Sequence, residues 1–242
     1  MGQGLVLSFA PELRLFLRPR DRAGTVRVAV DGTSSLGHLV EAAGVPLTEV
    51  GGLRVGGLPA EPSHRPRDGE EAEVLAVRRP QDVPPPVRFL LDVHLGTLAR
   101  RLRLVGLDTS YSPDMDDDEL LELANAEHRV LLTRDRGLLR RHALWFGAHV
   151  DSDDPDTQFT DVLDRFAPPL APWTRCPSCN APLSPVGKPE IRHLLAPGTD
   201  RTQQTFARCP SCAQLYWRGA HRDHLEDLVD RACRTVAGRR PA

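Results

Sequence analysis

Two pairs of cysteines share one spelling, Cys176-Pro-Ser-Cys179 and Cys209-Pro-Ser-Cys212, with 29 residues between them. A C-x-x-C turn brings two thiolates to one side, and two such turns supply the four sulfur ligands of a tetrahedral Zn²⁺. Four cysteines close the coordination shell, so this zinc would be structural and leave no position for a substrate. The rival readings are two disulfides or a redox-active C-x-x-C. Two matching knuckles speak against a lone redox pair. The opening residues MGQGLVLSFAPELRLF lack the basic stretch and long apolar core of a secretory signal. That points to a cytoplasmic chain, where structural disulfides are rare. A fifth cysteine, Cys233, falls in an amphipathic stretch over 223–236 and reads as a small buried residue.

The second chemistry is built from oxygen. Three apolar runs end in an acid: Phe89-Leu90-Leu91-Asp92, Val130-Leu131-Leu132-Thr133-Arg134-Asp135 and Ala148-His149-Val150-Asp151. A fourth group of acids, Asp114 to Glu119, precedes Leu120-Leu121-Glu122-Leu123-Ala124. Carboxylates in a first helical turn are favoured by the helix dipole, so each of these acids taken singly also reads as a cap. Several carboxylates on one edge repel unless a cation lies between them. Mg²⁺ or Mn²⁺ takes oxygen ligands of this kind and bridges them to phosphates. That arrangement suits metal-assisted hydrolysis of a phosphodiester.

The elements that must position these residues are short. Apolar runs followed by helical periodicity (Leu95, Leu98, Ala99, Leu102, Val105) and then another apolar run predict strands alternating with helices, hence a parallel sheet. Ligands gather at the carboxyl ends of such strands. Asp92, Asp135 and Asp151 would lie on that edge, with Asp117 joining from a helix start. Leu138 and Leu139 are expected to begin a further helix. Proline-rich joints at 79–86 and 168–172 divide the chain into 1–80, 86–168 and 172–242. In the first segment, runs at 5–9, 13–17, 26–30, 53–57 and 72–77 read as strands, and Leu36, Leu39, Val40 and Ala43 as a helix closed by Gly44. This order resembles the β-grasp, ubiquitin-like fold. Small sulfur carriers of that fold end in a free Gly-Gly. Here the segment runs on through Val77-Arg78-Arg79-Pro80, which favours a packing module or a docking site for a protein partner.

The middle and last segments resemble a known family. LLDVHLGTLARRLRLVGLDT, DDDELLELA and RVLLTRDRGLLRR are similar to the PIN-like RNase family named after the C-terminal domain of the Mut-seven exonuclease. The likeness runs over about 86–220 and includes the cysteine module. Members of that family often carry an N-terminal ubiquitin-like domain. The resemblance implies an α/β chain: a β-grasp domain, a PIN-like parallel-sheet domain and a C-terminal zinc ribbon. It matches Asp92 to the first metal-binding acid and Asp135 to the acid of the T-x-D motif. Asp117 matches the second acid, with Asp118 its near rival. Asp151 is taken as the fourth, with Asp153 and Asp154 as alternatives. Thr133 would orient an acid or a water.

The resemblance implies RNA as partner. Arg100 and Arg103, three residues apart in the family's L-x-R-x-L-R-x-x-G helix, are phosphate-binding candidates, or else a salt-bridged surface face from which Arg101 points away. Arg134, beside Asp135, joins them. Tyr216, Trp217 and Arg218 combine aromatic faces with charge, as single-strand binders do; the alternative is that Tyr216 and Trp217 pack the ribbon against the neighbouring domain, a role that suits one of the two. Charge is divided accordingly. Residues 81–170 hold 10 basic and 17 acidic side chains, so −7, and residues 171–242 hold 11 and 6, so +5. No run approaches the roughly 20 apolar residues of a membrane span. The expectation is a cytoplasmic metal-dependent ribonuclease with Mg²⁺ or Mn²⁺ at the acids and Zn²⁺ at the cysteines. The alternative is a non-catalytic RNA- or ribosome-associated binding protein.

Overall fold

Alternation in Leu5-Val6-Leu7-Ser8-Phe9 buries Leu5, Leu7 and Phe9 and turns Ser8 outward, the two-residue period of a strand with one covered face. It begins a computed structural model that describes residues 4–217 and 222–239. Strands β1 (Leu5–Phe9) and β2 (Thr25–Val28), helix α1 (Leu36–Ala43), and strands β3 (Val50–Val55), β4 (Leu58–Ala60) and β5 (Glu71–Ala76) come first. There follow β6 (Phe89–Leu91), α2 (Gly96–Leu104), β7 (Thr109–Tyr111), α3 (Asp117–Ala126), β8 (Val130–Thr133), β9 (Gly147–His149) and α4 (Pro155–Phe166). The last part holds β10 (Ser184–Val186), α5 (Lys188–Ile191), α6 (Pro197–Thr202), β11 (Phe206–Arg208), β12 (Leu215–Trp217) and α7 (Arg222–Ala237).

The chain divides into two compact units, one of residues 1–78 with 133–149 and one of 79–132 with 150–242. In the first, a mixed sheet runs β2-β1-β5-β3-β4, with β1 and β5 parallel at its centre. Helix α1 covers one face. Ser35 caps it by accepting from the His38 N–H, and its buried Leu36, Leu39, Val40 and Ala43 meet Leu5, Leu7, Val74 and Leu53 in one core. Gly44 ends the helix at φ 121°, a conformation a side chain would oppose. The run 13–17, expected as a strand, is instead a 3₁₀ turn over Pro11–Phe16. Proline at its first position favours a helical start, and Leu13 and Phe16, three apart, point together into the core.

In the second unit β6 lies between β7 and β8 and is parallel to both. Phe89, Leu90 and Leu91 are all fully buried, as a central parallel strand requires. Helix α2 buries Leu98, Ala99 and Leu102, and Gly106 closes the connection to β7. Helix α4 lays Phe159, Val162, Leu163 and Phe166 onto the core, and the Phe166 ring meets Phe89 edge-on at 5.5 Å. Residues 138–140 form only a 3₁₀ turn where a helix was expected. Helix α4, with Pro155 in its first turn, and strand β7 were not expected, although Phe159, Val162, Leu163 and Phe166 stand at the i, i+3, i+4, i+7 spacing of a helix. Antiparallel β10-β11-β12 and helix α7 complete the unit. Cys233, expected to be buried, is exposed, because Leu228, Val229, Ala232 and Val236 form the inward stripe of α7. No described helix is long and apolar enough to cross a membrane.

Candidate metal centre and acidic strand ends

Each cysteine knuckle is a tight turn folded back on itself. The Asn180 N–H donates to the Cys176 carbonyl at 2.9 Å, and the Ala213 N–H to the Cys209 carbonyl at 3.0 Å. Asn180 and Ala213 adopt φ 70° and 61°, which turns the chain sharply enough to aim two sulfurs inward. All four Sγ atoms lie within 4.8 Å of one another. Cys176 to Cys212 is 3.7 Å and Cys179 to Cys209 is 3.4 Å. A zinc at about 2.3 Å from each sulfur implies sulfur–sulfur edges of about 3.8 Å. Both separations are far beyond the about 2.05 Å of a disulfide. The cysteines are free thiols, with Cys176 and Cys209 buried and Cys179 and Cys212 exposed.

Four sulfurs this close disfavour one another's thiolate form, and a bound cation would relieve that repulsion. The Gln214 N–H favours the Cys212 thiolate, but desolvation and the crowding thiols of Cys209, Cys176 and Cys179 outweigh it and push Cys212 up to about 12. The Tyr216 hydroxyl lies 3.0 Å from Cys176 Sγ, and burial raises its pKa above the ordinary value. Such outer hydrogen bonds orient thiolate ligands. The residues therefore fit a metal ion such as zinc, held by four sulfurs with no open position.

Arg103 belongs to this centre and not to a phosphate-binding surface. It is 4% exposed. Its Nη1 donates to the carbonyls of Pro177 at 3.2 Å and Ser178 at 2.8 Å, and its Nε to the Thr109 carbonyl at 2.8 Å. Burial lowers its pKa from the ordinary value, opposed by the charges of Cys179 and Cys176. Its position three residues after Arg100 predicts the same outward face. In the structure Arg100 is exposed while Arg103 turns toward the knuckle. Around it, Asn180 donates to Asp108 at 2.9 Å and accepts from the Thr109 N–H at 3.0 Å. Asp108 also receives Arg129 at 2.8 Å and Arg175 at 3.2 Å.

Among the acids, Asp92 stands where β6 ends, 9% exposed, and caps the following turn by accepting from the Val93 N–H at 2.6 Å. Its own N–H donates to the Leu132 carbonyl at 3.1 Å, which ties it to the end of β8. Asp117 is exposed in the first turn of α3. The cap itself is Asp116, which accepts from Asp118 and Glu119 while the Glu119 side chain returns to the Asp116 N–H. Asp118 is exposed beside it. Asp151 and Asp153 are exposed. Asp154 caps α4, accepting from the Thr157 N–H at 2.8 Å and hydroxyl at 2.7 Å.

Thr133, Arg134 and Asp135 lie in the other unit. Buried Thr133 accepts the Asp135 N–H at 2.8 Å, and Asp135 accepts the Gly137 N–H at 2.6 Å, so this acid stands on a self-closed turn. Asp135 and Arg134 are exposed. The segment after them packs on the N-terminal sheet's unit. Glu49 accepts the His149 N–H at 2.7 Å, Arg140 donates to the Gly44 carbonyl at 2.5 Å, and Arg136 lies 5.1 Å over the Phe16 ring. Nothing in the sequence marked those pairings, which join residues nearly a hundred or more positions apart. Among the described residues the four cysteines are the one group of three or more His, Cys, Asp or Glu gathered to ligand distance, and the aspartates form no such group. Arg100 is exposed and Trp217 is 43% exposed, whereas Arg218 lies outside the described residues.

A family model described as the Mut7-C RNAse domain matches residues 87–229, and one described as Mut7-C ubiquitin matches residues 3–82. No curated protein and no solved structure matches the chain.

Proposed function

Because the chain belongs to the Mut7-C RNAse family, with that family's ubiquitin-like domain ahead of its RNase domain, we propose that it is a metal-dependent ribonuclease cutting RNA phosphodiester bonds. The observation that carries this reading is Asp92, a nearly buried carboxylate at the carboxyl end of the central parallel strand, inside the matched RNase domain. The proposed acids are Asp92, Asp117, Asp135 and Asp151. Carboxylate oxygens at strand and helix ends suit a hard divalent ion such as Mg²⁺ or Mn²⁺. When bound, that ion supplies a water of lowered pKa and stabilises charge at the phosphorus. Asp92 is held in place by its own cap bond, and Thr133 fixes the turn that presents Asp135. The PIN-like, β-grasp and zinc-ribbon descriptions of the three parts, 86–168, 1–80 and 172–242, belong to this same reading, as does Zn²⁺ as the ion of the four cysteines. The ubiquitin-like part remains a candidate docking site for a protein partner.

A second reading is an RNA-binding protein without hydrolysis. It is favoured by the exposure of Asp117, Asp135 and Asp151 at element ends, where carboxylates also stand as solvated cap and turn residues. Incubating the protein with mixed RNAs and Mn²⁺ or Mg²⁺, beside Asp92→Asn and Asp135→Asn, separates the two. Metal-dependent cleavage lost in both variants supports the nuclease, and equal behaviour of all three samples supports binding alone.

A further inference from the structure

The second unit contains a cavity of about 580 Å³ that neither the cysteine centre nor the acids use. Helix α2 contributes Arg100 and Arg101 to its lining, and Trp173, Phe206, Tyr216 and Trp217 line it as well. The size falls within the usual range for small-ligand sites. Its lining combines two features that an ordinary packing defect lacks.

The first is unanswered positive charge. Arg101 pairs through Nη2 with Asp156 at 3.2 Å and its Nη1 is buried out of a ligand's reach, so the charge open to the cavity is that of Arg100. Arg100 is exposed and forms no hydrogen bond or ion pair among the described residues. The second feature is aromatic surface. Trp217 is one of three large hydrophobic side chains left exposed among the described residues. The Tyr216 hydroxyl is occupied by Cys176, so this residue offers the cavity its ring.

We infer that this cavity receives an unpaired base of single-stranded RNA. The base lies against the aromatic rings, and an adjoining phosphate meets Arg100. Stacking on aromatic faces beside arginine is the general way single strands are held. An apolar peptide side chain would fill the space but leave Arg100 unanswered, whereas a nucleotide brings a π-face and negative charge together. The surrounding block, residues 171–242, has 11 basic against 6 acidic side chains, which favours a polyanion. The inference deepens the proposed function and rests on RNA being the substrate.

The test uses the full-length, zinc-loaded protein without added Mg²⁺ or Mn²⁺, and fluorescein-labelled oligouridylate followed by anisotropy. Trp217→Ala is expected to raise Kd about tenfold, and Trp217→Phe to restore most of the loss. Arg100→Gln is expected to raise Kd several-fold and flatten the salt dependence. An oligonucleotide with the same backbone but abasic sites should bind wild type about tenfold more weakly, with no further loss on Trp217→Ala. Melting temperature and zinc content check each fold, and exposed Arg100 gives a second variant if Trp217→Ala is destabilised. Equal affinity of Trp217→Ala and wild type, or undiminished binding of the abasic strand, overturns the proposal. So does Trp217-dependent binding of a leucine- and phenylalanine-rich peptide that oligouridylate fails to displace. Cleavage with Mn²⁺ is scored on the same samples. Cleavage without Trp217-dependent binding sinks only the pocket, and Trp217-dependent binding without cleavage sinks only the nuclease.

Discussion

Arg103 reaches from helix α2 to the backbone carbonyl of Ser178, 2.8 Å away, inside the first cysteine knuckle. A buried positive charge thereby lies against the turn that presents two thiolates, on the helix that follows Asp92. The cysteine module is tied into the α2–β7 edge of the parallel sheet by Arg103, Asp108 and Asn180 together.

Arg103→Met should therefore weaken the whole second unit. The change keeps the stem and strips hydrogen bonds from three carbonyls, at a cost of about 2–4 kcal/mol. Zinc should also be lost to a chelator faster than from wild type. Thermal melting with a colorimetric zinc-release assay reads both effects, and unchanged melting and release would show that the knuckle stands alone.

Gly106 has φ 85°, and a Cβ there would collide with the Ala171 carbonyl oxygen. Gly106→Ala is expected to destabilise by more than about 2 kcal/mol, combining the left-handed backbone penalty with the clash. Urea unfolding measures this, with wild-type stability as the contrary result.

Burial raises the pKa of Asp108, but hydrogen bonds from Arg129 and Asn180 outweigh it and hold the carboxyl below its ordinary value. A group whose folded pKa is depressed contributes stability above its unfolded pKa and loses it as pH falls through the folded value. Stability should thus drop as pH falls below about 4. Asp108→Asn should flatten that slope while lowering stability at neutral pH. A parallel pair of pH–stability curves would contradict the assignment.

The N-terminal unit should order the segment behind Asp135. Glu49, 6% exposed, accepts the His149 N–H. Glu49→Ala should speed hydrogen exchange of that amide about tenfold, whereas Glu49→Gln, which keeps an acceptor, should change it little. Equal exchange in the two variants would remove Glu49 from that role.

What was legible in the sequence was whatever a local pattern encodes. The two C-x-x-C spacings fixed the sulfur centre, because each knuckle is a short turn. The apolar run before Asp92 marked a buried parallel strand, and Ser35 with Gly44 marked both ends of α1. Misses came where local pattern is ambiguous. Residues 13–17 and 138–140 are too short for periodicity to tell a strand or helix from a 3₁₀ turn. Arg103 could not be told from Arg100, since its burial depends on carbonyls more than seventy residues away. The packing of 133–149 with 1–78 was likewise invisible, being made of long-range contacts without a motif. Asp92, Asp135 and Asp117 were legible as strand-end and helix-start acids.

The central claim is that Asp92 serves a hydrolytic metal site. The direct measurement is RNA cleavage in Mn²⁺ by wild type and by Asp92→Asn, with melting temperature and zinc content determined on both. Metal-dependent cleavage by wild type and a loss of about 100-fold or more in the variant are expected, with fold and zinc retained. Cleavage by Asp92→Asn at the wild-type rate, or no cleavage by either protein, would contradict it.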